Sequence, residues 1–254
     1  MDFTGKVVLI TGASSGIGAA TAQEFSKLGA QIVLVGRNVE KLQEVASKCL
    51  NPETHLQIKA EMTNESDVQR IIKETLEKFH KLDVLVNAAG IIENGTIENT
   101  SLEQFDRVMN TNIRSLYHLT MLAVPELKKT KGNIVNISSI CGIRSFPNVL
   151  AYTTSKAAVD QFTRCVALEL ASAGVRCNSV CPGVIVTELH KRGGMDEEAY
   201  QKFLEHCKAT HALGRAGEVT EVSGLICFLA SDMASFITGV NMPVDGGRHA
   251  MCPR

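Results

Sequence analysis

The feature that most constrains the fold is an alternation between two kinds of segment. Short apolar runs rich in β-branched residues occupy positions 7–10, 32–35, 84–87, 134–137, 175–180 and 239–242, with a shorter one at 56–58. Between them lie stretches with helical periodicity. One stripe is Val68, Ile71, Ile72, Thr75, Leu76 and Phe79; another is Phe162, Val166, Leu168 and Leu170. Continuous apolar strands separated by amphipathic helices are what a parallel sheet covered on both faces requires. The expected architecture is therefore α/β and doubly wound, with about seven parallel strands.

No repeat, low-complexity tract or Pro/Gly/Ser linker interrupts this rhythm, so one domain spanning 1–254 is expected. The interval 188–212 departs from it, with Lys191-Arg192-Gly193-Gly194 and then a helical stretch over 196–207, and reads as a substrate-binding segment. The 26 basic and 27 acidic residues nearly cancel, which supplies no global attraction to nucleic acid or to a membrane surface. No window is apolar for long enough to span a bilayer, and the run at 7–10 is too short for a secretion signal. A cytoplasmic location follows as the expectation. The 8 cysteines contain no Cys-x-x-Cys pair, and several sit in apolar runs, so buried reduced thiols are expected. The scattered histidines show no ligand spacing, and no metal site is expected.

The first strand leads into Thr11-Gly12-Ala13-Ser14-Ser15-Gly16-Ile17-Gly18 at the start of a helix. Glycines at such a turn let the backbone approach a pyrophosphate, which then sits on the helix N-terminus. A Rossmann-like dinucleotide site is the result, although the spacing is Gly-x-x-x-Gly-x-Gly. The second strand ends in Val35-Gly36-Arg37-Asn38, where a site for NAD would carry an acidic residue for the ribose hydroxyls. A guanidinium there holds a 2′-phosphate instead, with Ser14 or Ser15 a further donor, so the expected cofactor is NADP(H).

Farther on, the strand at 134–137 runs out through Ser138-Ser139, and Tyr152 precedes Lys156 by one helical turn. Tyr-x-x-x-Lys puts both side chains on one helix face. A phenol is a poor acid or base at neutral pH, and a neighbouring ammonium is expected to lower its pKa toward the useful range. Ser139, at the carboxyl end of its strand, is placed to hydrogen-bond a substrate carbonyl. No histidine nearby equips it as a nucleophile, and no Gly-x-Ser-x-Gly elbow appears, which argues against a hydrolase.

Taken together, Thr11-Gly12-x-x-x-Gly16-x-Gly18, Asn87-Ala88-Ala89-Gly90, Asn112, Ser139, Tyr152 with Lys156, and Pro182-Gly183 resemble the short-chain dehydrogenase/reductase family from about residue 5 to Gly247. Within it the pattern looks closest to the 3-oxoacyl-acyl-carrier-protein reductase-like branch. The resemblance implies that Tyr152 is the acid–base group, that Ser139 rather than Ser138 positions the substrate oxygen, and that Lys156 binds the nicotinamide ribose. It implies that Asn112 opens a helix locally and holds a relay water. It also implies cofactor contacts from Gly12, Ser14, Ser15, Gly16, Ile17, Gly18, Arg37, Asn87, Ala88, Gly90, Pro182, Gly183, Val184, Ile185 and Thr187. After the third strand the family usually has Asp, whereas this chain has Glu61-Met62, both carried over as adenine contacts.

The function implied is an NADPH-dependent oxidoreductase, a carbonyl reductase working on a small carbonyl or secondary alcohol. A 3-oxoacyl-acyl-carrier-protein reductase proper is the alternative within the family; Lys128, Lys129 and Lys131 fit either a contact with an acidic carrier or a solvated helix end. A catalytically silent dinucleotide-binding regulator is the alternative of another class, and the intact Ser-Tyr-Lys set speaks against it. A homotetramer is also implied, packing through helices near 102–128 and 151–172; Leu116, Leu119 and Phe162 fit either such a contact or packing on their own sheet. Substrate recognition falls to short segments at 92–97, 141–150 and 188–212.

Overall fold

Every strand runs in the same direction. In the computed structural model, which describes residues 1–252, the strands are β1 (Val7–Thr11), β2 (Gln31–Gly36), β3 (Leu56–Lys59), β4 (Val84–Asn87), β5 (Asn133–Ile137), β6 (Arg176–Pro182) and β7 (Asn241–Val244). They form the single parallel sheet that the apolar runs predict, in the order β3-β2-β1-β4-β5-β6-β7. Most strand ends differ from the sequence reading by one residue, and the larger differences fall on β6 and β7. β7 begins at Asn241, and Gly239 lies outside it with a left-handed φ of +77°. β6 continues to Pro182, paired with Val244 of β7.

The connecting helices are α1 (Gly16–Lys27), α2 (Val39–Ser47), α3 (Glu65–Phe79), α4 (Leu102–Met109), α5 (Ser115–Thr130), α6 (Ile140–Ile143), α7 (Leu150–Leu170), α8 (Leu189–Arg192), α9 (Glu197–Thr210) and α10 (Val219–Ala230). Side-chain oxygens of Asn38, Asn64, Ser101 and Asp196 accept first-turn backbone N–H groups and start α2, α3, α4 and α9. A π-helical turn, Asn110–Arg114, joins α4 to α5, which is the local opening expected around Asn112.

The two-residue period of the strands sorts the core into two layers. Val8 and Ile10 of β1 face a cluster with Phe25 of α1, Leu42 of α2 and Val222 and Ile226 of α10. Val7 and Leu9 face the other, with Val68 and Ile71 of α3, Leu119 and Leu127 of α5, and Val166 and Leu170 of α7. The apolar stripe read along α7 needs one correction. Leu168 stands two residues from both Val166 and Leu170, and the helix turns it outward, where it is 81% exposed. Leu116 and Leu119 are likewise buried within the chain, while Tyr117 and Met121 are the outward apolar residues of α5.

Because all strands are parallel, their carboxyl ends lie on one edge of the sheet. The chain order reverses between β1 and β4, and the loops that follow them separate to leave a crevice there. No helix among the described residues is long and apolar enough to cross a membrane.

Candidate active site

A cavity of about 810 Å³ opens at that edge, and the turn from β1 into α1 forms its floor. Gly12 has φ +66°, and a Cβ there would lie 2.8 Å from the Ala88 carbonyl oxygen. A Cβ on Gly18 would meet the Gly12 carbonyl oxygen at 2.4 Å, so helix and turn approach more closely than any side chain allows. Thr11 Oγ1 accepts the N–H groups of Ala88 (3.0 Å) and Ala89 (3.1 Å), tying the loop after β4 to this turn. Unlike α2, α3, α4 and α9, helix α1 starts with no side-chain cap and no acidic residue in its first turn. Its leading N–H groups and the positive end of its dipole therefore face the cavity uncompensated, which suits an anionic diphosphate.

At one end of the cavity, Gly36 and Arg37 finish β2. Ser14 packs against Gly36, where an added Cβ would lie 3.2 Å from the Ser14 hydroxyl. Ser15 turns elsewhere and accepts a hydrogen bond from Arg192 of α8 (3.0 Å). Of the two serines it is thus Ser14 that stands beside Arg37. The Arg37 guanidinium is 69% exposed and only loosely paired with Glu61, at 3.5 Å. Glu61 and Met62 both line the cavity, and the backbone N–H of Glu61 is fixed by Asp67 (2.8 Å).

Ser139, Tyr152 and Lys156 meet on the wall farther along. Ser139 caps α6, its hydroxyl accepting the Cys141 N–H at 3.1 Å, and it faces the Tyr152 phenol closely enough to favour the phenolate. Ser138 donates to the Lys156 carbonyl (3.2 Å) and points into the base of α7. Lys156 Nζ lies 5.6 Å from the centre of the Tyr152 ring and donates to the Ile137 carbonyl at 2.7 Å. Burial lowers the Lys156 pKa to about 8, opposed by the charge of Asp160. Burial also drives the Tyr152 phenol upward, reinforced by Cys141 and opposed by Ser139. The expectation that the ammonium pulls the phenol pKa down is therefore corrected for this arrangement: desolvation dominates both groups, and Tyr152 is a neutral O–H donor.

Two predicted residues do not reach the cavity. Asn112 is 1% exposed, its Oδ1 accepting the Ile91 N–H (2.8 Å) and its Nδ2 donating to the Ile91 carbonyl (2.9 Å) and Ser155 (3.0 Å). It braces the loop after β4 against α7 through the π-helical turn. Asn87 shares the parity of Leu85 and points toward α5, donating to Thr120 (3.1 Å) and to Asn136 (2.9 Å). Of the segment expected to line the cofactor pocket, Ala88, Ala89 and Gly90 do so and Asn87 does not.

Pro182, Gly183, Val184, Ile185 and Thr187 follow β6 along the opposite wall. Tyr200 of α9 fixes Thr187, accepting from its N–H and donating to its carbonyl. Thr187 in turn sits over Gly16, whose Cβ would come within 3.3 Å of it. The three expected substrate segments all contribute. Gly95 and Asn148 join the first two by a 2.8 Å backbone bond, and His190, Met195 and Phe203 come from the third. A fourth contributor, Arg248 near the chain end, was not anticipated, nor was the Arg192 contact with Ser15. Neither arginine belongs to a spaced motif, and only the folded chain brings them here.

Comparison with known proteins places these features in a wider group. A family model described as enoyl-(acyl carrier protein) reductase matches residues 12–249. The chain is 39% identical to a meso-2,3-butanediol dehydrogenase of Serratia marcescens, over 98% of its own length and 97% of the relative's. It is 35% identical to a 3-oxoacyl-[acyl-carrier-protein] reductase of Thermotoga maritima, over 97% and 99%. Among solved structures, a short-chain dehydrogenase/reductase of unknown function from Caenorhabditis elegans, determined with cofactor, superposes with a TM-score of 0.94 at 35% identity, covering 98% of this chain and 97% of that one.

Proposed function

The chain belongs to the short-chain dehydrogenase/reductase family of oxidoreductases, and from that premise we propose that it is an NADP(H)-dependent enzyme interconverting a small carbonyl compound and the corresponding secondary alcohol. The observation that carries this reading is the meeting of Ser139, Tyr152 and Lys156 on the wall of the cavity whose floor is the glycine turn. Bound there, the nicotinamide supplies or accepts a hydride.

The chain's own residues supply positioning and a proton. The Gly12–Gly18 turn and the uncapped start of α1 hold the diphosphate, with Thr187 above it and Ala88, Gly90, Ile17, Val184 and Ile185 as apolar walls. Arg37, with Ser14 beside it, takes the 2′-phosphate, and Glu61 and Met62 flank the adenine. Ser139 donates to the substrate oxygen and fixes its position. Tyr152, kept neutral by burial, gives its phenolic proton to that oxygen during reduction and regains one from solvent; in the reverse direction it first releases a proton to solvent, and its phenolate takes the alcohol proton. Lys156 anchors the ribose, and Asn112 keeps the loop after β4 in register with α7. We further propose a homotetramer, supported by the outward apolar residues of α5 and α7, and a cytoplasmic location, supported by the unpaired buried thiols of Cys49, Cys177, Cys181, Cys207 and Cys227.

The test is dinucleotide consumption over a panel of diketones, oxo acids, β-ketoacyl thioesters, retinal and ketosteroids. NADPH should be favoured over NADH by about tenfold or more, and Arg37→Asp should reverse that order by placing a carboxylate against the 2′-phosphate. Tyr152→Phe should lower turnover by roughly a thousandfold while dinucleotide binding, read by fluorescence, persists. Equal use of both dinucleotides refutes the cofactor assignment. Retained turnover in Tyr152→Phe refutes the proton-transfer assignment.

A further inference from the structure

One of the ionised side chains on the cavity wall has neither a hydrogen bond nor an ion pair among the described residues. Arg37 and Glu61 face one another, Glu188 is paired with Lys191 at 3.7 Å, and Arg192 reaches Ser15 over the glycine turn. Lys156 is committed to the Ile137 carbonyl beside Tyr152. Arg248 remains. It lines the cavity half-buried, and its guanidinium carbon lies 4.5 Å from the centre of the Phe146 ring.

Stacking occupies a face of the guanidinium and leaves its N–H donors free in the plane. Among the described residues no hydrogen bond or ion pair uses them. The carboxylate nearest in sequence, Asp245, is already engaged. It accepts the Gly247 N–H at 3.1 Å and the His249 N–H at 2.6 Å, and it contacts His249 Nδ1 at 2.9 Å. The segment is also fixed in place. Arg248 N–H donates to the Asp245 carbonyl at 3.1 Å, and the Arg144 guanidinium donates to the His249 carbonyl. A planar donor fork carried on an anchored backbone, with its N–H groups unspent, matches a carboxylate, which accepts two parallel N–H groups. Met195 and Phe203 on the same wall suit the methylenes between that carboxylate and a reacting carbonyl.

We propose that Arg248 binds a carboxylate of the substrate, so that the substrates are oxo-carboxylates and the matching hydroxy acids, with the reacting oxygen at Ser139 and Tyr152. This rests on the oxidoreductase reading above and narrows it to one substrate class. A carrier-bound thioester, neutral around its reacting carbonyl, would leave the Arg248 donors unpaired on binding, which disfavours it.

The full chain is assayed with NADPH on 3-oxobutanoate, 4-oxopentanoate and 5-oxohexanoate, each beside its methyl ester. A neutral 3-oxobutanoyl thioester and 2,3-butanedione complete the set. Calorimetry of the same acids and esters on the chain loaded with NADP⁺ gives a readout independent of turnover. Wild type should favour at least one acid over its ester by about tenfold, in both kcat/KM and affinity. Arg248→Met should lower kcat/KM for that acid about tenfold more than for its ester, mainly through KM, and Arg248→Lys should retain part of the preference. The proposal is overturned if wild type prefers the esters or the thioester, or if acid and ester respond equally to Arg248→Met. Reduction of 2,3-butanedione with no response to any acid overturns the Arg248 assignment while the oxidoreductase reading stands. If no carbonyl compound is reduced with either dinucleotide, that reading fails and the assignment of Arg248 falls with it.

Discussion

Lys156 carries a penalty that the fold accepts for its position. Its ammonium is enclosed between β5 and α7, and burial lowers its pKa from an ordinary 10.5 to about 8. Below pH 8 the lysine is charged in both folded and unfolded chains, and the full desolvation penalty acts on the folded one. Between pH 8 and 10.5 the unfolded chain binds more protons, so this penalty fades as pH rises. Replacing the ammonium should therefore stabilise the protein. Lys156→Met is expected to unfold at higher urea than wild type at pH 7, by an amount on the order of 3 kcal/mol. The gap should close as pH is raised from 8 toward 10.5, and a gap independent of pH would show that burial of charge is not its source. Comparing the two proteins at each pH cancels the opposing effect of Tyr152 and the buried thiols, whose raised pKa values weaken the fold in alkali. At this scale the sequence disclosed which residue types meet but not their electrical state. Tyr-x-x-x-Lys announces proximity, whereas the direction of each pKa shift follows from enclosure by β5, α6 and α7. Asn87 is a similar case, because a one-residue parity within β4 decides whether its amide faces the cavity or Thr120.

Among the elements, the β1–α1 unit is the one whose shape was most legible, since its glycines are required by backbone geometry. Gly12→Ala forces a Cβ onto a residue with φ +66° and to within 2.8 Å of the Ala88 carbonyl. It should cost about 1–3 kcal/mol and abolish dinucleotide binding. Gly224, inside α10, is the contrasting case: a Cβ there meets nothing within 4 Å. Gly224→Ala should therefore stabilise by about 0.5–1 kcal/mol. Urea melts of the two variants check both signs, and a neutral or favourable Gly12→Ala would contradict the tightness of the turn. The segment after β6 was legible only as an interruption. Its working contacts, Thr187 over Gly16 and Arg192 on Ser15, span more than 170 residues of chain and leave no periodic trace.

For the whole molecule, the apolar surface outside the cavity bears on assembly. Tyr117 packs edge-on against Phe162 at 5.9 Å, joining α5 and α7, and both Tyr117 and Met121 remain about half exposed. Of the two placements open to Leu116 and Leu119, a subunit contact or their own sheet, the fold takes the second and buries both in the chain's own core. Sedimentation should give a tetramer, and Tyr117→Glu with Leu168→Glu should lower the mass without loss of helix by circular dichroism. A wild-type monomer would dismiss the assembly. The number of strands and their parallel sense were readable from the alternation of runs because parallel core strands must be apolar on both faces, whereas their order in the sheet was not. That same requirement gives the sheet a further consequence. Val8 and Leu9 are chain neighbours, yet the sheet stands between their side chains and assigns them to different clusters. Truncating each to alanine should therefore perturb the molecule independently, with the double variant's loss equal to the sum within about 0.5 kcal/mol. A coupling well above that in a double-mutant cycle would mean that the two layers yield together. Independence would make the sheet a thermodynamic partition, across which damage to one layer goes unfelt by the other until the whole chain unfolds.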